Sequence, residues 1–413
     1  MNFEYFIAKR LIKGKEHKSS ISSAIIKIAI FAIAIGMVMM LITVATGVGL
    51  QHKIREKVEA FNGHVLVSGY DNNNSLESLI PIRKEQDFYP YFDEVEGVVH
   101  VQAVATKLGV IRTANDFEGI VLKGVGDDYN WEYFREYLVE GELPDFTDPR
   151  NKEIIISDYT ANRLGLKVGD KATTFFLKKN TTSNSKANIR AFEIVGIYNS
   201  GFQEFDEKFI IADIRHIQKM NKWGVDEIGN FEIFIDNFDD IDIKGEEIYR
   251  TIPSTLQAQT IAMKYGSVFE WLKLFDLNIV GIIGIIILVA GINMITALLV
   301  MILERTQMIG ILKSLGTSDW SIRKIFLYNA SYLILIGLFW GNFIGIGLLL
   351  LQEYYGAISL NPETYYVNKA PVYIDIGFVF LLNIGTMLLC LIMLLLPSYV
   401  VAKITPSKAI RFQ

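Results

Sequence analysis

Residues 28–50 read IAIFAIAIGMVMMLITVATGVGL, an uncharged run of 23 residues that decides the architecture. A helix rises about 1.5 Å per residue and the hydrocarbon core of a bilayer is about 30 Å thick, so the run is long enough to span. Three more such runs follow: Leu277–Leu303, Ile325–Leu351 and Ile376–Ala402. Between the first and second lie more than two hundred residues of ordinary globular composition. One span, a large soluble insert and three closely spaced spans describe a membrane machine that acts on the far side.

Charge placement orients it. Lys9, Arg10, Lys13, Lys15, Lys18 and Lys27 precede the first span, against two acids. The loop 304–324 carries four basic residues and two acids, and the tail after Ala402 carries Lys403, Lys408 and Arg411 with no acid. The loop 352–375 holds one lysine and three acids. By the positive-inside rule both termini and the middle loop are cytoplasmic, while the insert and the last loop lie outside. The expected order is a cytoplasmic amphipathic helix in 1–23, spans 24–50, 274–303, 325–351 and 376–402, and an outer α+β domain in 51–273. A cytoplasmic helix in 304–324, an outer loop in 352–375 and a cytoplasmic tail in 403–413 complete it. Phe3, Phe6, Ile7 and Leu11, interleaved with Lys9, Arg10 and Lys13, form a pattern suited to the inner membrane surface.

Residues 51–270 carry 37 acidic and 25 basic residues, so the insert is acidic within a chain of net charge −5. That balance argues against nucleic acid or anionic lipid as its main partner. Cys390 is the single cysteine and falls in the fourth span, so the insert must be stable through its core without a disulfide. Val65–Ser68, Val98–Ala105, Gly119–Lys123, Glu153–Ser157, Ala191–Tyr198, Lys208–Ala212 and Glu232–Ile235 read as strands. Asp158–Leu164 and Asp213–Met220 read as helices opening on an aspartate cap. Mixed α+β in two lobes is the expectation. Near 173–198 a polar stretch, Lys178–Asn188, reads as the tip of a long hairpin. Phe176, Leu177, Lys178, Lys179, Lys186 and Arg190 there make a basic arm in an acidic domain, a candidate dock for an acidic partner.

The chain has no phosphate-binding loop, no C-x-x-C, no H-E-x-x-H and no G-x-S-x-G, so no catalytic or metal site is expected. Charged residues are missing from mid-membrane, which argues against an ion pathway. Asn278, Asn293, Asn329, Asn342 and Asn383 are the polar groups there, and Gly337, Gly341 and Gly345 suggest close helix contact. In Glu304-Arg-Thr-Gln-Met-Ile-Gly-Ile-Leu-Lys-Ser-Leu-Gly316, Met308, Ile309, Leu312 and Leu315 share one apolar face that needs a partner, and Gly316 can end the helix.

This last motif resembles the coupling helix of FtsX/MacB-type ABC permeases. The segment Pro397–Arg411 is similar to the C-terminal signature of the same superfamily. Phe3–Arg10, Ala290–Asn293, Gly201–Asp206 and Asn361–Val367 with Pro371 resemble the lipoprotein-releasing permeases LolC and LolE. The resemblance implies a MacB-like periplasmic domain and an inner-membrane, non-catalytic permease with both termini cytoplasmic. Its partners would be a LolD-like ATPase that binds ATP and magnesium, a second permease chain, identical or paralogous, acylated lipoproteins and a periplasmic LolA-like carrier. Coupling to the ATPase would fall on Glu304, Arg305, Met308, Ile309, Gly310, Leu312, Lys313, Leu315 and Gly316. The hairpin would dock the carrier, although its tip lacks the proline of a LolC-type hook. Asn293 marks the polar position of the second span. A MacB-like exporter and an FtsX-like regulator of a cell-wall hydrolase share the architecture and are the alternatives.

Overall fold

The computed structural model describes residues 3–13, 21–70, 76–148, 151–176 and 188–404. Helices α1 (Phe3–Lys13) and α2 (Ile21–Asn62) lead into a strand-rich segment holding α3 (Asp158–Leu164), α4 (Ile214–Asn221) and α5 (Ile241–Thr251). Then follow α6 (Gly266–Glu304), α7 (Thr306–Ser314), α8 (Asp319–Tyr355) and α9 (Ile376–Ser398). The chain divides into one unit of 1–51, 272–359 and 369–413 and another of 52–271 and 360–368.

In the first unit four helices are long and apolar enough to cross a membrane. Their closest approaches fall at glycines, as expected where lipid supplies no hydrophobic drive between helices. Gly337, Gly341 and Gly345 of α8 face Ile33, Met37 and Leu41 of α2, in matched steps of four residues. A Cβ on Gly341 would sit 2.6 Å from Met37 Cβ and 2.8 Å from the Ala34 carbonyl oxygen. Gly36 of α2 in turn admits Ile286 of α6. Asn342 of α8 and Asn383 of α9 exchange amide hydrogen bonds of 2.7 and 3.0 Å. Each amide also donates to the carbonyl four residues back, so the pair is well satisfied. Helix α1 packs along the start of α8, with Tyr5 edge-on to Tyr328 and Glu4 accepting from Ser321 Oγ. One face of the expected surface helix is therefore covered by protein, while Phe3 and Phe6 stay exposed.

The second unit is built on a ten-stranded sheet, with a separate two-stranded one of Ile82–Arg83 and Glu227–Ile228, where two lobes were expected. Its strands are β1 (Val65–Gly69), β2 (Val98–Arg112), β3 (Phe117–Val125), β4 (Leu138–Gly141), β5 (Glu153–Ser157), β6 (Lys171–Phe176), β7 (Asn188–Tyr198), β8 (Phe209–Asp213), β9 (Asn230–Ile235) and β10 (Leu256–Thr260). They run β10-β1-β9-β2-β3-β8-β5-β7-β4, and β6 pairs with both β2 and β7. The long β2 joins the large sheet, because it runs seven residues past the expected Ala105 and pairs with β9, β3 and β6. One face buries Val65, Val67, Ala103, Leu122, Phe231 and Ile233. Strand periodicity then sends Ser68, Gln102, Glu232, Gln257 and Gln259 to the other face. Ser157, not Asp158, caps α3 by accepting from the Thr160 amide, whereas Asp213 caps α4 as expected.

Candidate functional site

The motif Glu304–Gly316 forms α7, and Gly316 ends it at φ +84°, with the Thr317 amide donating to the Leu312 carbonyl. This left-handed stop satisfies end carbonyls that would otherwise lack partners. The apolar face is largely spent inside the chain. Ile309 and Gly310 are buried, and Met308 and Leu312 pack on the core of the first unit. What remains outward is a pair one turn apart, Ile311 at 49 % and Leu315 at 76 % exposure, with Gln307 and Ser314 beside them and Glu304 and Gly316 also exposed. Lys313 is a staple: its Nζ donates to the carbonyls of Ala402 and Ile404 and lies 2.8 Å from Asp319. Arg305 is half-buried at the head of α7. Arg323 likewise ties α8 to the end of α9, donating to Ser398 Oγ and the Leu395 carbonyl.

The hairpin arm divides differently. Leu177, Lys178, Lys179 and Lys186 lie outside the described residues. Phe176 is fully buried beneath Gly109, so it is a packing residue and offers no contact surface. Arg190 is half-buried on β7 opposite Thr174. Asn293 is half-buried on α6, and among the described residues its amide makes no hydrogen bond.

Two stretches far apart in sequence meet in the second unit. The Tyr366 ring stacks on Phe202 at 4.7 Å and stands edge-on to Trp271 at 5.9 Å. Its carbonyl accepts from Lys57 Nζ at 2.9 Å. Asp206 closes the turn beneath by accepting from the Ser200 amide and hydroxyl and the Gly201 amide. Burial raises the Asp206 carboxyl above its usual range, and those hydrogen bonds partly offset the rise. Gly201 adopts φ +64°, and a Cβ there would lie 2.9 Å from Lys57 Nζ. Gly201→Ala is expected to cost about 1–2 kcal/mol from the left-handed backbone, plus displacement of Lys57. Thermal unfolding of the purified chain checks it, and an unchanged midpoint would contradict the strained turn. Tyr366 and Phe202 fall in the two resembling stretches Asn361–Val367 and Gly201–Asp206, whereas Lys57 and Trp271 carried no motif of their own.

The first unit also has an apolar groove of about 520 Å³ between α2 and α8, lined by Phe31, Ile35, Met39, Trp340 and Ile344 with Lys27 at one end. Among the described residues no group of three or more acidic, histidine or cysteine side chains is placed to hold a metal.

Residues 28–242 match the MacB-like periplasmic core domain family, and residues 280–406 match the FtsX-like permease C-terminal family. The lipoprotein-releasing system transmembrane protein LolC of Neisseria meningitidis serogroup B is 21 % identical over the full length of both chains. LolC of Haemophilus influenzae is 23 % identical, again over all of both chains. The uncharacterized ABC transporter permease YknZ of Bacillus subtilis is 24 % identical over 94 % of each.

Proposed function

The chain belongs to the family of MacB-like, FtsX-like permeases, in its LolC/LolE branch, and from that premise we propose that it is the permease subunit of an ABC complex that releases acylated lipoproteins from the bacterial inner membrane. The observation that carries the reading is the full-length match to LolC chains, which takes in the insert and all four spans. On this reading the segment inserted in sequence between the first two spans is periplasmic, and both termini are cytoplasmic. Each acyl CH₂ contributes roughly 0.8 kcal/mol of burial, so extraction needs an external energy source. A partner ATPase, holding ATP and magnesium, supplies it by pressing on α7.

The exposed pair Ile311 and Leu315 is the contact this geometry offers that ATPase. Force on it passes to Ile309 in the helix core and through Lys313 to the end of the fourth span. The second permease chain and the periplasmic carrier complete the assembly.

Two measurements test this. Gentle purification from native membrane followed by mass spectrometry should recover an ATPase with acylated lipoproteins. An ATPase with a coiled-coil adaptor or a cell-wall hydrolase, and no lipoprotein, would move the chain to another branch. Leu315→Asp should reduce ATPase co-purification by at least about tenfold, the loss of some 1.4 kcal/mol, while the yield of folded permease stays normal. Unchanged co-purification from a double Ile311→Asp, Leu315→Asp variant would remove α7 from the interface.

A further inference from the structure

The second unit contains a cavity of about 340 Å³ that none of the functional residues above occupies. It lies on the polar face of the sheet, where β10, β1 and β9 are adjacent. Leu66 stands opposite both Gln259 and Glu232, and Ser68 stands opposite both Gln257 and Asn230. Amides and a hydroxyl thus carpet a sheet face that closes against the end of α2 and the segment Lys264–Ser267. The volume falls in the range of small-molecule sites.

The floor of this cavity is electrostatically complete. Lys123 donates to both Glu232 oxygens, at 2.7 and 2.9 Å, and to the Phe61 carbonyl, and Gln102 donates to Glu232 as well. The walls are not. Among the described residues Lys264 Nζ finds one acceptor, Asn62 Oδ1 at 3.1 Å, which the Tyr265 hydroxyl shares. Among the described residues the side chains of Gln259 and Asn230 make no hydrogen bond, although both line the cavity and are half-buried. At the rim Lys208 and Glu204 bring one charge of each sign, and Glu77 is engaged with Lys107. Among the described residues Lys264 has no carboxylate partner.

We propose that this cavity binds a compact oxyanion, a phosphate monoester or a carboxylate, with Lys264 as its counter-charge and Gln259 and Asn230 as flanking hydrogen-bond donors. A charge-assisted bond from the ammonium supplies the affinity. Desolvation lowers the Lys264 ammonium to about 8, with Glu232 opposing and Lys123 adding to the fall.

The test is calorimetric titration of the full-length chain in an uncharged detergent with glycerol 3-phosphate, N-acetylglycine and glycerol. One or both anions should bind at a single site and glycerol should not. Lys264→Met should weaken binding at least about tenfold, the scale of one charge-assisted hydrogen bond, and Gln259→Leu should weaken it less. Far-UV circular dichroism and melting of both variants should match the parent, since neither side chain belongs to the core. Preference for the phosphate assigns a headgroup-like ligand, and preference for the carboxylate assigns a peptide. Absence of binding by both anions, or binding that survives Lys264→Met, overturns the proposal.

Discussion

Gly341→Val is expected to destroy the helix pair that organises the membrane unit. The position already lies within van der Waals limits of α2, and one of the atoms a Cβ would strike is the Ala34 carbonyl oxygen, at 2.8 Å. A backbone atom cannot rotate away, so the helices must separate along the ladder Gly337–Ile33, Gly341–Met37 and Gly345–Leu41. Over-packing of this kind costs about 3 kcal/mol, the upper part of the usual range. In lipid it also forfeits the close packing that holds spans together. The expected result is loss of monodisperse protein after extraction, or a melting midpoint several degrees lower. Gly347→Ala and Gly284→Ala are the controls, since a Cβ at either meets nothing within 4 Å. A normal melt for Gly341→Val would mean that α8 does not pack on α2 through this face.

The second large effect is expected at Glu232. Its carboxylate and the Lys123 ammonium are both almost fully buried, and they share Gln102 and the Phe61 carbonyl in one network. Glu232→Ala leaves the ammonium buried beside a single carbonyl, and breaking a buried pair from one side costs about 3–5 kcal/mol. Burial already depresses the Lys123 ammonium, with Glu232 opposing that fall, so removing the acid drives the lysine towards its neutral form. The double variant Lys123→Met, Glu232→Leu should recover most of the loss, because apolar replacement of a buried pair is often close to neutral. Chemical denaturation of the full chain, followed through the strand signal, measures all three proteins. Equal losses for the single and double variants would show that the network contributes through shape alone.

Hydropathy exposed the four long helices because uncharged runs of this length are rarely stable outside a bilayer. What covers each face was harder to see. The spacing of Met308, Ile309 and Leu312 marks an apolar face, yet periodicity does not say whether the cover is another chain or the chain's own core. The structure spends those residues internally and leaves Ile311 and Leu315 outside. Strand β10, Leu-Gln-Ala-Gln-Thr, is hard to see in sequence because its outward residues are amides facing the cavity rather than an apolar partner. The β-type run of strand β2 ends at Ala105 in the sequence, where Thr106, Lys107 and Gly109 interrupt it. In the fold Lys107 is held by Glu77 and Asn221, and Gly109 makes room for Phe176. The stretches around Phe202 and Tyr366 are each recognisable, but nothing in either one says that the two rings stack.

The fate of Lys313 bears on how genetics at this locus should be read. A screen for loss of transport would return substitutions throughout α7, and most would be mistaken for lesions in partner recognition. Changes at Ile309 or Leu312 disturb the helix core, and changes at Lys313 release the carbonyls of Ala402 and Ile404 at the end of the fourth span. Those alleles should behave as recessive, poorly accumulating nulls. Substitutions at Ile311 and Leu315 should instead yield abundant, inactive chains that compete for the other components, and so stand out as dominant negatives.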